Sequence, residues 1–411
     1  MRRPLMGAAL SALALTMTAC GSSGSDSTSD APAAGASGKP ITVGYVNMEG
    51  GALSFPDVRI GAEAGVRYVN TELNGVNGRP LKLMRCDVDG TPEKSIDCAN
   101  KFVEAKVAFV FQGIDPGVDA MLPILKSAGI PITGHSADAP GQQADANAMA
   151  FGTAAPASLS APLKFYSQQD VRSYAFVLPE APWGHAVADK VLKPASAALG
   201  MKPKLLFTDA ANPDWSSLVA TAMAGKPDMI GGPVLTDEQC AAFVGALKNT
   251  GYRGKIFGGT CTSAFAKAIG NEAAAGVVTF SDMWRADGAE SAPAAKQKEI
   301  KVFEKGMKAV GKPDTLNVFA EAPFSDAVNL ARILSTIKGE ITGPAVLDAL
   351  QKTKDFDLFL GPVVTCDGKA WPGQSNCGNS ILFYENQPEG GVKVVSDGYL
   401  RLTPADLAPA K

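Results

Sequence analysis

Gly134-His135-Ser136-Ala137 follows the apolar run Ile130-Pro131-Ile132-Thr133 and sets an imidazole beside a hydroxyl, the residue types of acyl transfer. The segment stops short of a G-x-S-x-G nucleophile elbow, because Asp138 stands where the last glycine belongs. An elbow also needs a helix directly after its serine, and Pro140-Gly141 intervenes here. The only later histidine is His185, far from the C-terminal end where hydrolases keep theirs. A serine hydrolase using Ser136 is therefore a minor alternative. Paired acids such as Asp87 and Asp89 fall on a strand-to-helix loop, where solvation or capping accounts for them. The sequence lacks a GKS/GKT phosphate loop, an H-E-x-x-H pair and a G-x-G-x-x-G after a strand, so no cofactor and no enzymatic activity are expected.

Cysteines carry the other chemistry. Cys86, Cys98, Cys240, Cys261, Cys366 and Cys377 form an even set, and none has the C-x-x-C spacing of a zinc or redox site. Only two histidines exist to assist, so no metal is expected. Clustering along the chain suggests Cys86–Cys98, Cys240–Cys261 and Cys366–Cys377, among the fifteen pairings that six cysteines allow. The seventh, Cys20, ends a different pattern: Arg2 and Arg3, then the short apolar stretch Leu5 to Leu15, then Met17-Thr18-Ala19-Cys20. That stretch is too short to span a bilayer and reads as a signal peptide. The last four residues resemble the lipobox of bacterial lipoproteins, with Met17 where that motif usually has leucine. The resemblance implies diacylglyceryl transfer to the Cys20 thiol, cleavage before it and acylation of the new N-terminus. Residues 1–20 are thus expected to be a lipoprotein signal with its anchor. Residues 21–39, rich in Ser, Gly, Ala, Asp and Thr, are expected to form a flexible tether. The protein is then extracytoplasmic, held at the outer face of the cell membrane. There the cysteine pairs can oxidise.

Charge excludes one class of partner. Lys and Arg total 38 against 41 Asp and Glu, a net charge of −3 without a basic stripe, so nucleic acid is not expected.

The elements that must position these residues alternate. Ile41–Val46 reads as a buried strand; Asp57–Asn74 carries Ala62, Val66, Val69 and Leu73 on one helical face. Asn74-Gly75 and Asn77-Gly78 break the chain. Strands over 81–86, 107–111 and 130–133 alternate with helices over 92–105 and 117–128. The rhythm resumes with helices 157–169, 184–199, 214–224 and 237–250 among strands 174–178, 204–208, 229–231 and 255–258. Such βαβ repetition predicts mostly parallel sheets, and roughly ten units are too many for one domain, so two doubly wound lobes follow. From 344 onward a helix and β-like runs at 358–364, 381–385 and 392–395 predict an antiparallel finish.

Several stretches in this order resemble the periplasmic binding proteins of type I, the branched-chain amino acid (Leu/Ile/Val)-binding class. They are Ile41-Thr-Val-Gly-Tyr, the segment Val69 to Leu81, Cys86-Asp87 with Pro92-Glu-Lys-Ser, and Lys106 to Val110. Ile124 to Thr133, Trp183-Gly184 and Leu247 to Tyr252 complete the series. The resemblance covers Ile41 to about Leu402. It implies an α/β fold of two doubly wound lobes joined by a three-crossover hinge. The first lobe is expected over residues 40–153 plus 277–342 and the second over 154–276 plus 343–411. It further implies a monomeric solute receptor of an ABC importer, working with a membrane permease and its ATPase. A sensor or receptor that binds without delivering is the alternative, since one fold serves both.

Carried over position by position, the resemblance assigns His135 and Ser136 to one end of the ligand and Trp183 to an aromatic cover from the second lobe. Phe55 becomes a further aromatic wall. Asp115 and Pro116 stand where the family presents N–H groups and a small hydroxyl to a carboxylate, and are poor at that task. Thr260 stands where amino-acid binders often place an acid for the ammonium; Glu321 or Asp237 is the candidate to supply it. Trp284 and Phe324 are candidate additional walls. These departures shift the expected solute from a plain α-amino acid towards an amide, amine or organic acid.

Overall fold

The computed structural model describes residues 35–51, 54–209 and 213–407; Cys20, the signal segment and most of the tether lie outside them. The described residues form one compact unit.

Ten strands open the architecture: β1 (Ile41–Met48), β2 (Leu81–Val88), β3 (Val110–Gln112), β4 (Ile132–Gly134), β5 (Ala148–Thr153), β6 (Ser173–Pro179), β7 (Lys202–Thr208), β8 (Met229–Gly231), β9 (Lys255–Gly259) and β10 (Val277–Ser281). A first sheet runs in the order Asn376–Gly378, β5, β4, β3, β1, β2, all pairs parallel. A second sheet runs Val392–Val394, Ser380–Asn386, β10, β9, β8, β6, β7, with Leu400–Arg401 pairing beside Ser380–Asn386. Its strands β6 to β10 are parallel and its last strands antiparallel, the expected finish. β1 is almost continuously buried, as a strand covered by helices on both faces must be. Each sheet has an apolar cluster on either side, built in the first around Phe324 and Phe102 and in the second around Phe176 and Phe243.

Helix Pro56–Glu72 lies against helix Val318–Leu334 at close range, because Gly61 and Gly65 remove the side chains that would hold them apart. A Cβ on Gly61 would strike the Ala320 carbonyl. After the first helix, Asn74 and Gly75 take φ of 57° and 63°, the left-handed turn for which Asn-Gly is suited. Helix Asp237–Asn249 starts with a full capping box between Thr236 and Gln239.

The three disulfides are Cys86–Cys98, Cys240–Cys261 and Cys366–Cys377, as the clustering suggested. The first ties β2 to helix Pro92–Glu104 and the second ties helix Asp237–Asn249 to the loop after β9.

The chain passes between the sheets three times, after β5, after β10 and between Gly378 and Ser380. The lobe boundaries expected from sequence need correction at two places. β10 pairs with β9 and with Ser380–Asn386, so residues 277–281 belong to the second sheet and the crossing comes at Asp282. Val346 and Leu350 of helix Gly343–Gln351 pack into the first core, and Asn376–Gly378 pairs with β5, so 343–378 does not lie wholly with the second sheet.

Candidate functional site

In open parallel sheets a ligand lies outside the carboxyl ends of the strands, where the order reverses. The first sheet reverses between β1 and β3 and the second between β6 and β8. The loops leaving these strands carry Phe55 and Asp115 on one side and Trp183 on the other. The neighbouring strands β4 and β9 deliver His135, Ser136 and Thr260 at the same ends. Topology alone thus brings most of the sequence-expected residues to strand ends at or beside the two switch points.

Phe55 precedes helix Pro56–Glu72, is half-buried, and tilts against Phe319 with ring centroids 5.8 Å apart. The Asn47 amide fixes this loop by donating to the Phe55 carbonyl at 2.9 Å, while its Oδ1 accepts from Ile114 N–H at 3.1 Å. One side chain therefore clamps the loops after β1 and β3 together.

Asp115 does not face open space. It is fully buried, accepting from the Ser95 hydroxyl at 2.8 Å and from Gly117 N–H at 2.9 Å. Burial pushes its carboxyl up to about 6, against the pull of those donors. Its own N–H donates to Asp138 at 2.8 Å, and Asp138 also receives the Ser136 hydroxyl and the Gln112 amide. Asp115, Ser136 and Asp138 are one network that shapes the loops. Asp115 acts as an internal cap, its carboxylate held by Ser95 and Gly117.

His135 stands apart from Ser136. Its Nε2 lies 3.0 Å from Asp282 and its Nδ1 3.5 Å from Asp326, with 22% of the side chain still accessible. Burial disfavours the charge on the ring, but the two carboxylates outweigh it and hold the imidazole well above its ordinary 6.5. Asp282 is lowered because His135 and the Thr153 N–H, at 2.7 Å, overcome its burial; Asp326 is raised by burial. With the Ser136 hydroxyl on Asp138 and the His135 ring on two acids, these residues do not form a nucleophile–base pair.

Trp183 opens helix Pro182–Val187 and leaves 48% of its surface exposed. It is the largest of the exposed apolar side chains among the described residues. Such a ring at a loop tip is free to stack on a solute. Thr260 donates to the Leu235 carbonyl at 3.3 Å.

The two candidate acids are both engaged. Glu321 is buried in the first turn of helix Val318–Leu334, where it accepts from Ala286 N–H at 2.7 Å. Asp237 accepts the amide and hydroxyl of Thr262 at 2.6 and 2.8 Å. Trp284 and Phe324 are core residues, the first set edge-on to Tyr399 and the second against Phe303 and Phe359. Asp282 and Asp326 escaped the sequence reading. Asp326 could have been flagged as an acid inside an otherwise apolar helical run.

The described residues include no cluster of His, Cys, Asp or Glu able to hold a metal, and no helix long and apolar enough to cross a membrane.

The family model for periplasmic binding proteins matches residues 40–372. A substrate-binding periplasmic protein from Ralstonia solanacearum superposes with a TM-score of 0.70 at 19% identity, covering 86% of this chain and 99% of that one. A leucine binding protein from Thermotoga maritima gives 0.67 at 16%, covering 87% and 98%. A branched-chain amino acid transporter substrate-binding protein from Streptococcus pneumoniae, solved with isoleucine, gives 0.68 at 16%, covering 89% and 100%. No curated protein sequence matches the chain.

Proposed function

The chain belongs to the periplasmic binding protein family, and from that premise we propose that it captures a small solute outside the cytoplasm and delivers it to an ABC permease driven by its ATPase. The observation that carries this reading is that each sheet has a switch point whose strand ends carry candidate ligand residues. Phe55 and His135 stand at the strand ends of one sheet, and the exposed Trp183 and Thr260 stand at those of the other. The three short crossings between the sheets can serve as a hinge. A solute that binds the closed arrangement better than the open one shifts the molecule towards closure.

The solute class follows from what the site lacks. Thr260 brings no negative charge, Asp115 and Asp237 are hydrogen-bonded within the protein, and Glu321 is buried against the Ala286 N–H. A ligand ammonium therefore has no free acid among the positions expected to supply one. An amide, amine-poor organic acid or other solute with an apolar or aromatic part for Trp183 fits better than a plain α-amino acid. The Cys20 lipid and the 21–39 tether would hold a monomer at the membrane, since two or more acyl chains anchor stably. The protein is not an enzyme on this reading.

A thermal-shift panel of amino acids, amides, amines and aromatic acids tests it. A solute that binds only the folded state adds about 2.7 kcal/mol at one hundred times its dissociation constant. A shift with an amide or organic acid is expected. A shift confined to branched-chain amino acids would overturn the solute class while keeping the family role, and silence across the panel would count against capture itself.

A further inference from the structure

At the crossing after β10, Asp282 leaves the second sheet but spends its carboxylate on the first. One oxygen accepts from Thr153 N–H, at the end of β5, at 2.7 Å; the other lies 3.0 Å from His135 Nε2, just past β4. Gly152 is what permits this approach, because a Cβ there would stand 2.9 Å from Asp282 Oδ2 and 3.0 Å from His135 Nε2. The other crossings are sewn to the same spot. Thr153 Oγ1 donates to the Ser380 carbonyl at 2.8 Å, and Ala154 N–H donates to the Gly378 carbonyl at 3.1 Å. Tyr399 reaches the Asp282 carbonyl at 3.4 Å. All three passages between the sheets therefore meet around one ion pair.

We propose that the Asp282–His135 pair is the pivot on which the two sheets are held, so that losing it frees the crossings and weakens closure. Asp282 is thus a positioning residue: it acts through Thr153 and His135 and touches no solute. A backbone hydrogen bond to a carboxylate backed by an imidazolium is stronger than a neutral one, and the site is mostly closed to water. The titratable groups facing the ring are Asp282 from the second sheet, Asp326 from helix Val318–Leu334 and, behind Asp282, Tyr399. Tyr399 is pushed well above 10 by burial and stays neutral. Because His135 is raised and Asp282 lowered, the pair is complete at neutral pH and is lost as pH rises through the His135 titration. The pivot is a property of the ligand-free protein and does not depend on the identity of the solute.

Hydrogen–deuterium exchange on the full chain without solute reads this directly, with rates corrected for the intrinsic pH dependence of exchange. For Asp282→Asn we expect the Thr153 amide to exchange at least about tenfold faster while strand β6 keeps its protection. For His135→Gln we expect a smaller acceleration that no longer varies with pH. The unsubstituted chain should accelerate at Thr153 as pH rises above the ordinary histidine range. A wild-type profile as flat as that of His135→Gln would overturn the proposal, as would an Asp282→Asn protein with unchanged Thr153 exchange. Should Asp282→Asn unfold, exposing β6 as well, the wild-type pH profile still decides.

Discussion

Glu321 shows how a side chain that reads as a ligand group becomes an internal cost. It is buried, one carboxylate oxygen accepts from Ala286 N–H, and the other has no hydrogen-bond partner among the described residues. Burial and the nearby Asp287 push its carboxyl from an ordinary 4.5 to about 8, despite Arg285. The sign follows from proton counting. Below about pH 4.5 folded and unfolded chains both hold the proton. Between about 4.5 and about 8 only the folded chain does, so stability falls as pH rises. The full deficit is of the order of 5 kcal/mol as an upper bound. Glu321→Gln should therefore lower stability less between pH 5 and pH 8 than the parent does, and should be more stable at pH 8. Chemical denaturation at both values checks this; parallel losses in the two proteins would contradict it. The residue scale was also where sequence reading was least able to separate roles. Asp115, Asp237 and Glu321 are acids at loop or helix starts, where a cap and a ligand contact have the same local pattern. Only burial and partners distinguish them.

At the scale of elements, the central helices depend on what is missing. Gly61 and Gly65 face Ala320, Phe324 and Ala327, and a Cβ at Gly61 has no room beside the Ala320 backbone. Gly61→Val should force the helices apart and destabilise the protein by about 1–3 kcal/mol or more. Urea unfolding measures it, and an unchanged midpoint would show that the helices part without loss. The helix and strand rhythm up to β4 and from β6 to β9 was legible because apolar spacing of 3.6 or continuous apolar runs mark each piece. β5 was not, because Ala148-Met-Ala-Phe-Gly-Thr153 offers small residues that also suit a loop. Helix Val318–Leu334 was not separately drawn either. It carries Pro323 and is buried on nearly all sides, so its amphipathic stripe is faint. β10 was placed with the wrong sheet because pairing partners far apart in sequence leave no local mark.

For the whole molecule, the βαβ rhythm made the two-sheet plan legible, the resemblance to periplasmic binding proteins implied the three crossings, and clustering suggested the disulfide pairs. The charged pivot of His135, Asp282 and Asp326 was not legible. It joins residues 191 and 147 positions apart that only the crossings bring together. The central claim is that one solute is held between the strand ends of the two sheets, under Trp183. A calorimetric titration of the solute giving the largest thermal shift, into the parent and into Trp183→Ala, measures that claim most directly. We expect one site per chain and an affinity at least about tenfold weaker in the variant, about 1.4 kcal/mol. Equal affinity in the two proteins, both folded, would place the solute elsewhere and contradict the account.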